Sequence, residues 1–299
     1  GVSAGVGKGS GDLLDRSVEL LPPGAEEDAE AIQVAVVGRP NVGKSSIINK
    51  LLGEDRLVVS PVAGTTRDAI DTVLTHDGRV LNFIDTAGLR RRARVDEDVE
   101  FYSTLRTERA IERAQVCVLV VDAADGMHHQ DLRIAGEAWE HGAGLIVLVN
   151  KWDLIQEKDA NTAVRGEESL KARVPFLRFV PFLYVSALTG QRVRKLLDLI
   201  LEVAAERERR VPTHEVNDVL QALLQRTSPP QKEGDEVKLF YASQVGTAPP
   251  LFAIVSNRPD DVAESYQRYL INGFREAWGF KGAPVRLKFT ARGAQRLKR

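Results

Sequence analysis

The sequence predicts an α/β fold, a doubly wound, mostly parallel sheet, followed by a smaller α+β unit. Three observations carry this. Apolar runs bounded by polar turns (IQVAVVG, VLNFIDTAG, AQVCVLVVDAADG, GLIVLVNKWD and FLYVSA) recur through the first two-thirds of the chain. Helical patterns lie between most of them: Val193, Leu196, Leu197, Ile200 and Leu201 fall on one face at the spacing of a helix. Strands rich in Val, Ile and Leu that alternate with amphipathic helices need a sheet buried on both faces. Finally, the pattern changes after Arg210 to helix, strand, strand, long helix, strand.

In chain order, residues 3–15 (SAGVGKGSGDLLD) share a template with residues 186–198 (SALTGQRVRKLLD), agreeing at Ser-Ala, the fifth-position Gly and the closing Leu-Leu-Asp. Residues 22–30, PPGAEEDAE, have the composition of a linker. The doubly wound unit is expected over 31–210. Within it, DAIDTVLTHDGRVLNFID reads as a hairpin turning at Asp77-Gly78, which puts one antiparallel edge strand on the sheet. Val211-Pro212-Thr213 follows a charged helical tail and marks a boundary, leaving 211–299 for the α+β unit.

With 299 residues, 43% hydrophobic, 28% charged and a net charge of -1, the composition is that of a soluble globular chain of two domains. Cys117 is the single cysteine, so no intramolecular disulfide forms; within VCVLVV it reads as a small buried hydrophobe. No apolar run approaches the roughly 18 residues of a membrane span, and the N-terminal residues lack a signal pattern. A cytoplasmic protein without membrane contact is expected.

Gly38-Arg39-Pro40-Asn41-Val42-Gly43-Lys44-Ser45 fits the pattern G-x-x-x-x-G-K-[ST], with an apolar strand before it and a helix pattern (KSSIINKLL) after it. In such a loop backbone N–H groups converge on phosphates and the helix N-terminus adds its positive dipole end. Gly43 allows close backbone approach, Lys44 bridges the terminal phosphates, the Ser45 hydroxyl suits Mg²⁺, and Val42 and Ser46 continue the cradle. The Gly5–Ser10 stretch is a decoy, because Gly rather than Ser or Thr follows its Gly-Lys and no strand precedes it.

Asn150-Lys151-Trp152-Asp153 ends another apolar run, where a doubly wound sheet binds its ligand. A carboxylate at Asp153 accepts two hydrogen bonds from guanine N1–H and its amino group. Adenine offers an acceptor there, so the carboxylate would lose its partners. Lys151 lies along the base and Asn150 ties this loop to the phosphate loop. Between these motifs stands Asp85-Thr86-Ala87-Gly88, with Asp85 for Mg²⁺ through water and the Gly88 N–H for the γ-phosphate. Ser186-Ala187-Leu188 offers backbone N–H groups to guanine O6.

These motifs, in this order over 31–210, resemble a translation-factor-class GTPase domain. Gly64-Thr65-Thr66-Arg67-Asp68 narrows the resemblance to the Era, Der and tRNA-modification GTPases. The resemblance implies that Thr66 closes on Mg²⁺ and the γ-phosphate, and that Asn41 helps to hold K⁺. Leu89 stands where Ras-like enzymes carry the water-orienting Gln, so these motifs leave the group that positions water unidentified. A nucleotide-gated protein-interaction scaffold with little hydrolysis is the alternative that Leu89 keeps open.

The whole chain is most similar to the Der (EngA) family, with two GTPase domains followed by a KH-like domain and a role in assembling the large ribosomal subunit. On that resemblance residues 1–21 correspond to the tail of a preceding GTPase domain and 211–299 to the KH-like domain. Ribosomal RNA or a pre-ribosomal large subunit is then the implied partner, beside GTP and GDP. Residues 281–299 carry seven cations and no acid, which suits phosphate contacts. Gly279-Phe280-Lys281-Gly282 spells G-x-x-G but lies between helix and strand, so it reads as a capping turn. Packing of this unit on the GTPase domain is the other expectation. Arg90–Arg94 reads as a solvated segment, and His128-His129, with no further ligand nearby in sequence, as a surface loop.

Overall fold

The computed structural model describes residues 31–53, 58–60, 71–86, 100–155, 162–232 and 234–291. The expectations for 1–30, Gly64–Asp68, Ala87–Arg94 and 292–299 lie outside the described residues.

Strand β1 (Ile32–Val37) leads through the phosphate loop into helix α1 (Lys44–Leu52). Strands β2 (Val58–Ser60), β3 (Thr72–His76) and β4 (Arg79–Phe83) follow, then α2 (Glu100–Arg113) and β5 (Val116–Asp122). After these come α3 (His129–His141), β6 (Gly144–Asn150), α4 (Thr162–Arg173), β7 (Phe182–Tyr184) and α5 (Lys195–Glu208). The second unit runs α6 (Thr213–Arg226), β8 (Leu239–Gly246), β9 (Leu251–Ser256), α7 (Glu264–Trp278) and β10 (Arg286–Ala291).

The larger sheet has the order β2-β3-β4-β1-β5-β6-β7, with β4, β1, β5, β6 and β7 parallel. Both β5 and β6 are buried at every one of their seven positions. That is why they read as continuous apolar runs rather than alternating ones. Their side chains alternate between two cores. Val116, Val118 and Val120 face Ile47, Ile48 and Leu51 of α1 and Leu196, Leu197 and Ile200 of α5. Cys117, Leu119 and Val121 face Ala110 and Ile111 of α2 and Ile134, Ala135 and Ala138 of α3.

The hairpin turns where the sequence placed it. Asp77 (φ 46°) and Gly78 (φ 73°) are both left-handed, and His76 pairs with Arg79 across them. The edge differs from expectation. Strand β2 pairs antiparallel with β3, so two strands extend the sheet through antiparallel pairings, and β2, not β3, is the edge. Three residues form too short a run for the period-2 pattern to signal.

In the second unit β9 pairs antiparallel with β8 and parallel with β10. Helices α6 and α7 cover one face through Val216, Leu220, Leu223, Tyr266, Leu270 and Phe274. A Cβ on Gly273 would come within 2.4 Å of Leu223, so this glycine permits the close approach of the two helices. The Gly279–Gly282 turn does cap α7: Gly279 (φ 85°) donates to Arg275 O at 2.8 Å.

The same turn joins the two units. Gly282 N–H donates to Phe179 O at 2.7 Å, and Leu145 N–H donates to Gly282 O at 2.7 Å. Lys281 pairs with Glu202 of α5 at 2.9 Å, and Arg207 donates to Gly142 O and Ala248 O, each at 2.9 Å. Arg275, 4% exposed, donates to the carbonyls of Phe280 and Ala283. Its guanidinium lies 4.3 Å from the ring centre of Phe179 and 5.2 Å from that of Trp139, both in the first unit. Burial pulls its pKa well below the usual arginine value. Among the described residues no helix is long and apolar enough to cross a membrane.

Candidate nucleotide site

The phosphate loop sits at the carboxyl end of β1, between neighbours β4 and β5, where the strand order reverses. Two left-handed residues shape it: Asn41 (φ 63°) and Gly43 (φ 98°), the N-cap of α1. Gly43 has no side chain with which to cap the first turn, and that turn holds no acid. The backbone N–H groups of Lys44, Ser45 and Ser46 therefore open a helix whose N-terminus suits an anion. Gly38 (φ 136°) is required for packing, since a Cβ there would lie 2.3 Å from Val120 O. Lys44 Nζ donates to Gly38 O at 2.8 Å and Arg39 O at 2.6 Å. Val42 is buried and Asn41 is exposed.

Asn150 is the joint between the motifs. Its side chain is 2% exposed; Nδ2 donates to Val42 O at 2.9 Å, and Oδ1 accepts from the Ala187 N–H at 3.0 Å. One amide thus holds the phosphate loop, the Asn-Lys-Trp-Asp loop and the Ser-Ala-Leu loop together. The expected tie is present. A Cβ on Gly43 would fall 2.2 Å from Asn150 Nδ2, so this contact also requires glycine.

Lys151 is left-handed (φ 61°), and its Nζ lies 2.6 Å from Asp122 Oδ2 at the end of β5. Burial pushes the Asp122 carboxyl up, but hydrogen bonds from Lys151 and the Ala124 N–H, with the charge of Lys151, outweigh it and hold the carboxyl below its usual value. Asp153 is the middle residue of a short 3-10 turn (Trp152–Leu154), and its buried Oδ1 has no hydrogen-bond partner among the described residues. A buried carboxylate oxygen left in this way suits a donor from a ligand. The Trp152 N–H donates to Val185 O at 3.0 Å, anchoring the turn to β7's end. Ser186 is buried; its Oγ accepts from the Thr189 N–H at 3.1 Å, and Leu188 is 81% exposed at the rim.

Asp85 lies two residues past β4 in a left-handed conformation (φ 53°), with its N–H donating to Asp71 Oδ1 at 2.9 Å. Asp71 also accepts from Arg113 at 2.8 Å and from Asn82 at 3.3 Å. Behind it the hydroxyls of Thr72 and Thr86 lie 2.6 Å apart in a buried pair. Thr66 and Gly88 lie outside the described residues. The oxygen donors Ser45 and Asp85, following the adjacent strands β1 and β4, have the chemistry Mg²⁺ prefers.

Sequence reasoning missed Asp71, Asp122 and Asp131. Asp122 had a signal, an acid closing an apolar run just as Asp85 does. Asp131, which accepts from Arg39 Nε at 3.0 Å, had none, because its partner is 92 residues away. His128 and His129 open α3 at the surface, as expected.

A phosphate loop braced by an Asn-Lys-Trp-Asp loop at the carboxyl edge of a doubly wound sheet defines a P-loop GTPase domain. Residues 33–151 match a family model described as 50S ribosome-binding GTPase, and 210–290 match the C-terminal KH-domain-like region of EngA bacterial GTPase enzymes. GTPase Der of Gemmatimonas aurantiaca is 56% identical over 286 residues, 96% of this chain and 66% of the relative. GTPase Der of Moorella thermoacetica is 48% identical over 296 residues, 99% of this chain and 67% of the relative. That of Caldanaerobacter subterraneus subsp. tengcongensis is 47% identical, covering 98% of this chain and 66% of the relative. The chain belongs to the GTPase Der family, and it spans about two-thirds of the length of these relatives.

Proposed function

We propose that this chain binds GTP and GDP, hydrolyses GTP, and works as a switch in assembly of the large ribosomal subunit. The observation that carries the reading is the Asn150 amide, which makes one site of the phosphate loop and both base loops. Water attacks the γ-phosphorus, the bond to the β–γ bridging oxygen breaks, and GDP and phosphate leave. Gly43, Lys44, Ser45 and Ser46 cradle the phosphates, with the Lys44 ammonium, steadied by the Gly38 and Arg39 carbonyls, donating to phosphate oxygens. Asp153 accepts from guanine, Lys151 covers the base face, and the loop Ser186-Ala187-Leu188 meets O6. Ser45, Thr66 and Asp85 would hold Mg²⁺, which neutralises charge developing on the phosphates. Gly88 would donate to the γ-phosphate.

Potassium beside Asn41 is part of the same proposal. Leu89 offers no proton and no hydrogen bond, so a monovalent cation would offset transition-state charge in the manner of an arginine finger, an effect on the order of 10³-fold for that residue. Phosphate release measured in K⁺ and in Na⁺ at equal ionic strength tests both parts. Faster release in K⁺ is expected, with the difference lost in Asn41→Ala. Equal release would remove the cation, and no release in either salt would overturn hydrolysis itself. Asp153→Asn is expected to weaken GTP and favour xanthosine triphosphate, whose oxo group accepts from an amide.

The ribosomal role rests on family membership and on the family model's description of a 50S-binding GTPase. Co-sedimentation with large subunits in the presence of a non-hydrolysable GTP analogue, but not GDP, is the expected result. No pelleting in either state would overturn it.

A further inference from the structure

The phosphate loop is held from outside its own motif. Arg39 Nε donates to Asp131 Oδ2 at 3.0 Å; its Nη2 reaches Gly126 O at 3.4 Å and lies 3.8 Å from Asp125 Oδ2. The Asp131 side chain is fully buried in the first turn of α3, and Oδ2 also accepts the His128 N–H at 2.9 Å. Accepting the N-cap N–H from the third helical position would not by itself require a charge, since a neutral Gln fills that role in a capping box. A buried carboxylate is costly without a cation, and its second oxygen has no hydrogen-bond partner among the described residues. Arg39 is the cation that offsets it.

The chain of contacts continues into the phosphate site. The carbonyl of Arg39 accepts from Lys44 Nζ at 2.6 Å, so the residue that Asp131 holds by its side chain holds the lysine by its backbone. We infer that Asp131 is a positioning residue for nucleotide binding: through Arg39 it sets the phosphate loop in the conformation that presents Lys44. Asp131 touches no phosphate. Its effect is to spare the ligand the cost of ordering the loop. The inference rests on the proposed binding of GTP and GDP.

The two roles of Asp131, cap and clamp, separate by ligand. Guanosine carries the base but no phosphates, so it reports on Asp153 and Asn150 without the phosphate loop. Titration calorimetry with GDP, GTP and guanosine in Mg²⁺ would compare the parent with Asp131→Asn, Arg39→Gln and the double variant. Each single change is expected to weaken GDP and GTP by about tenfold, the loss of one charge-assisted hydrogen bond in a partly buried site. Guanosine affinity should stay within about twofold, and the double variant should be no worse than the weaker single. A lowered melting temperature with unchanged nucleotide affinities would make Asp131 a helix cap only and overturn the inference, as would additive losses. Failure of the parent itself to bind GDP and GTP would sink the proposed function instead.

Discussion

Gly43 shows how much one missing methyl can carry. Its φ of 98° strains any side chain, and the added Cβ would strike the Asn150 amide that joins the loops. Gly43→Ala should therefore weaken GDP roughly ten- to hundredfold, a strain of about 1–3 kcal/mol, with the fold retained; calorimetry and circular dichroism check the two parts. Cys117 is the opposite case, a reactive group made inert. Burial at 0% exposure pushes its thiol up to about 12, so almost no thiolate exists at pH 8. Maleimide should leave the native chain unlabelled and label it fully in denaturant, a mass-spectrometric measurement. Both residues were legible in the sequence, one by its place in a motif and the other by the apolar run around it. The Asn150 tie was legible too. The carboxylates at Asp71 and Asp131 were not, because an acid acquires such a role only when folding delivers a partner from another element.

Among the elements, the strand ends carry the chemistry. Both β5 and β6 close on polar residues, Asp122 and Asn150, that pair in register, and the Ala123 N–H donates to Asn150 O at 2.9 Å. The Asp122 carboxyl lies below its usual value in the folded chain, so its contribution is fully present above about pH 4, the unfolded value, and is lost as pH falls through the lower folded value. Asp122→Asn should thus cost about 1 kcal/mol at pH 7, and the gap to the parent should narrow with acid; urea unfolding from pH 7 to pH 3 measures this. The long buried strands were easy to foresee from composition alone. The edge strand β2 was not, since three residues lend no period. The hairpin beside it announced itself through Asp77-Gly78, a pair suited to two successive left-handed residues.

For the molecule as a whole, the second unit is seated on the first by Arg275 and by the turn that follows α7. Removing the guanidinium strands the carbonyls of Phe280 and Ala283 and opens a space against Phe179 and Trp139. Arg275→Ala should destabilise the second unit by about 2–4 kcal/mol and split thermal unfolding into two transitions, which differential scanning calorimetry would resolve. A single unchanged transition would count against the seam. The fold of each unit could be read from periodicity. That one packs on the other was among the expectations, but the contacts themselves could not be read, because many are made by main-chain carbonyls and N–H groups that no side chain announces.

That last point bears on how the seam responds to substitution. Leu145 joins it through its main chain, so exchanging its side chain for another of like volume leaves the hydrogen bond in place. Proline at 145 would delete the donor outright. Gly282, left-handed at φ 71° and with Leu145 O only 2.9 Å from where a Cβ would sit, admits no exchange of this kind. A designer wishing to weld or loosen the two units therefore has almost nothing to edit at this joint except one glycine, and must work on the arginines around it.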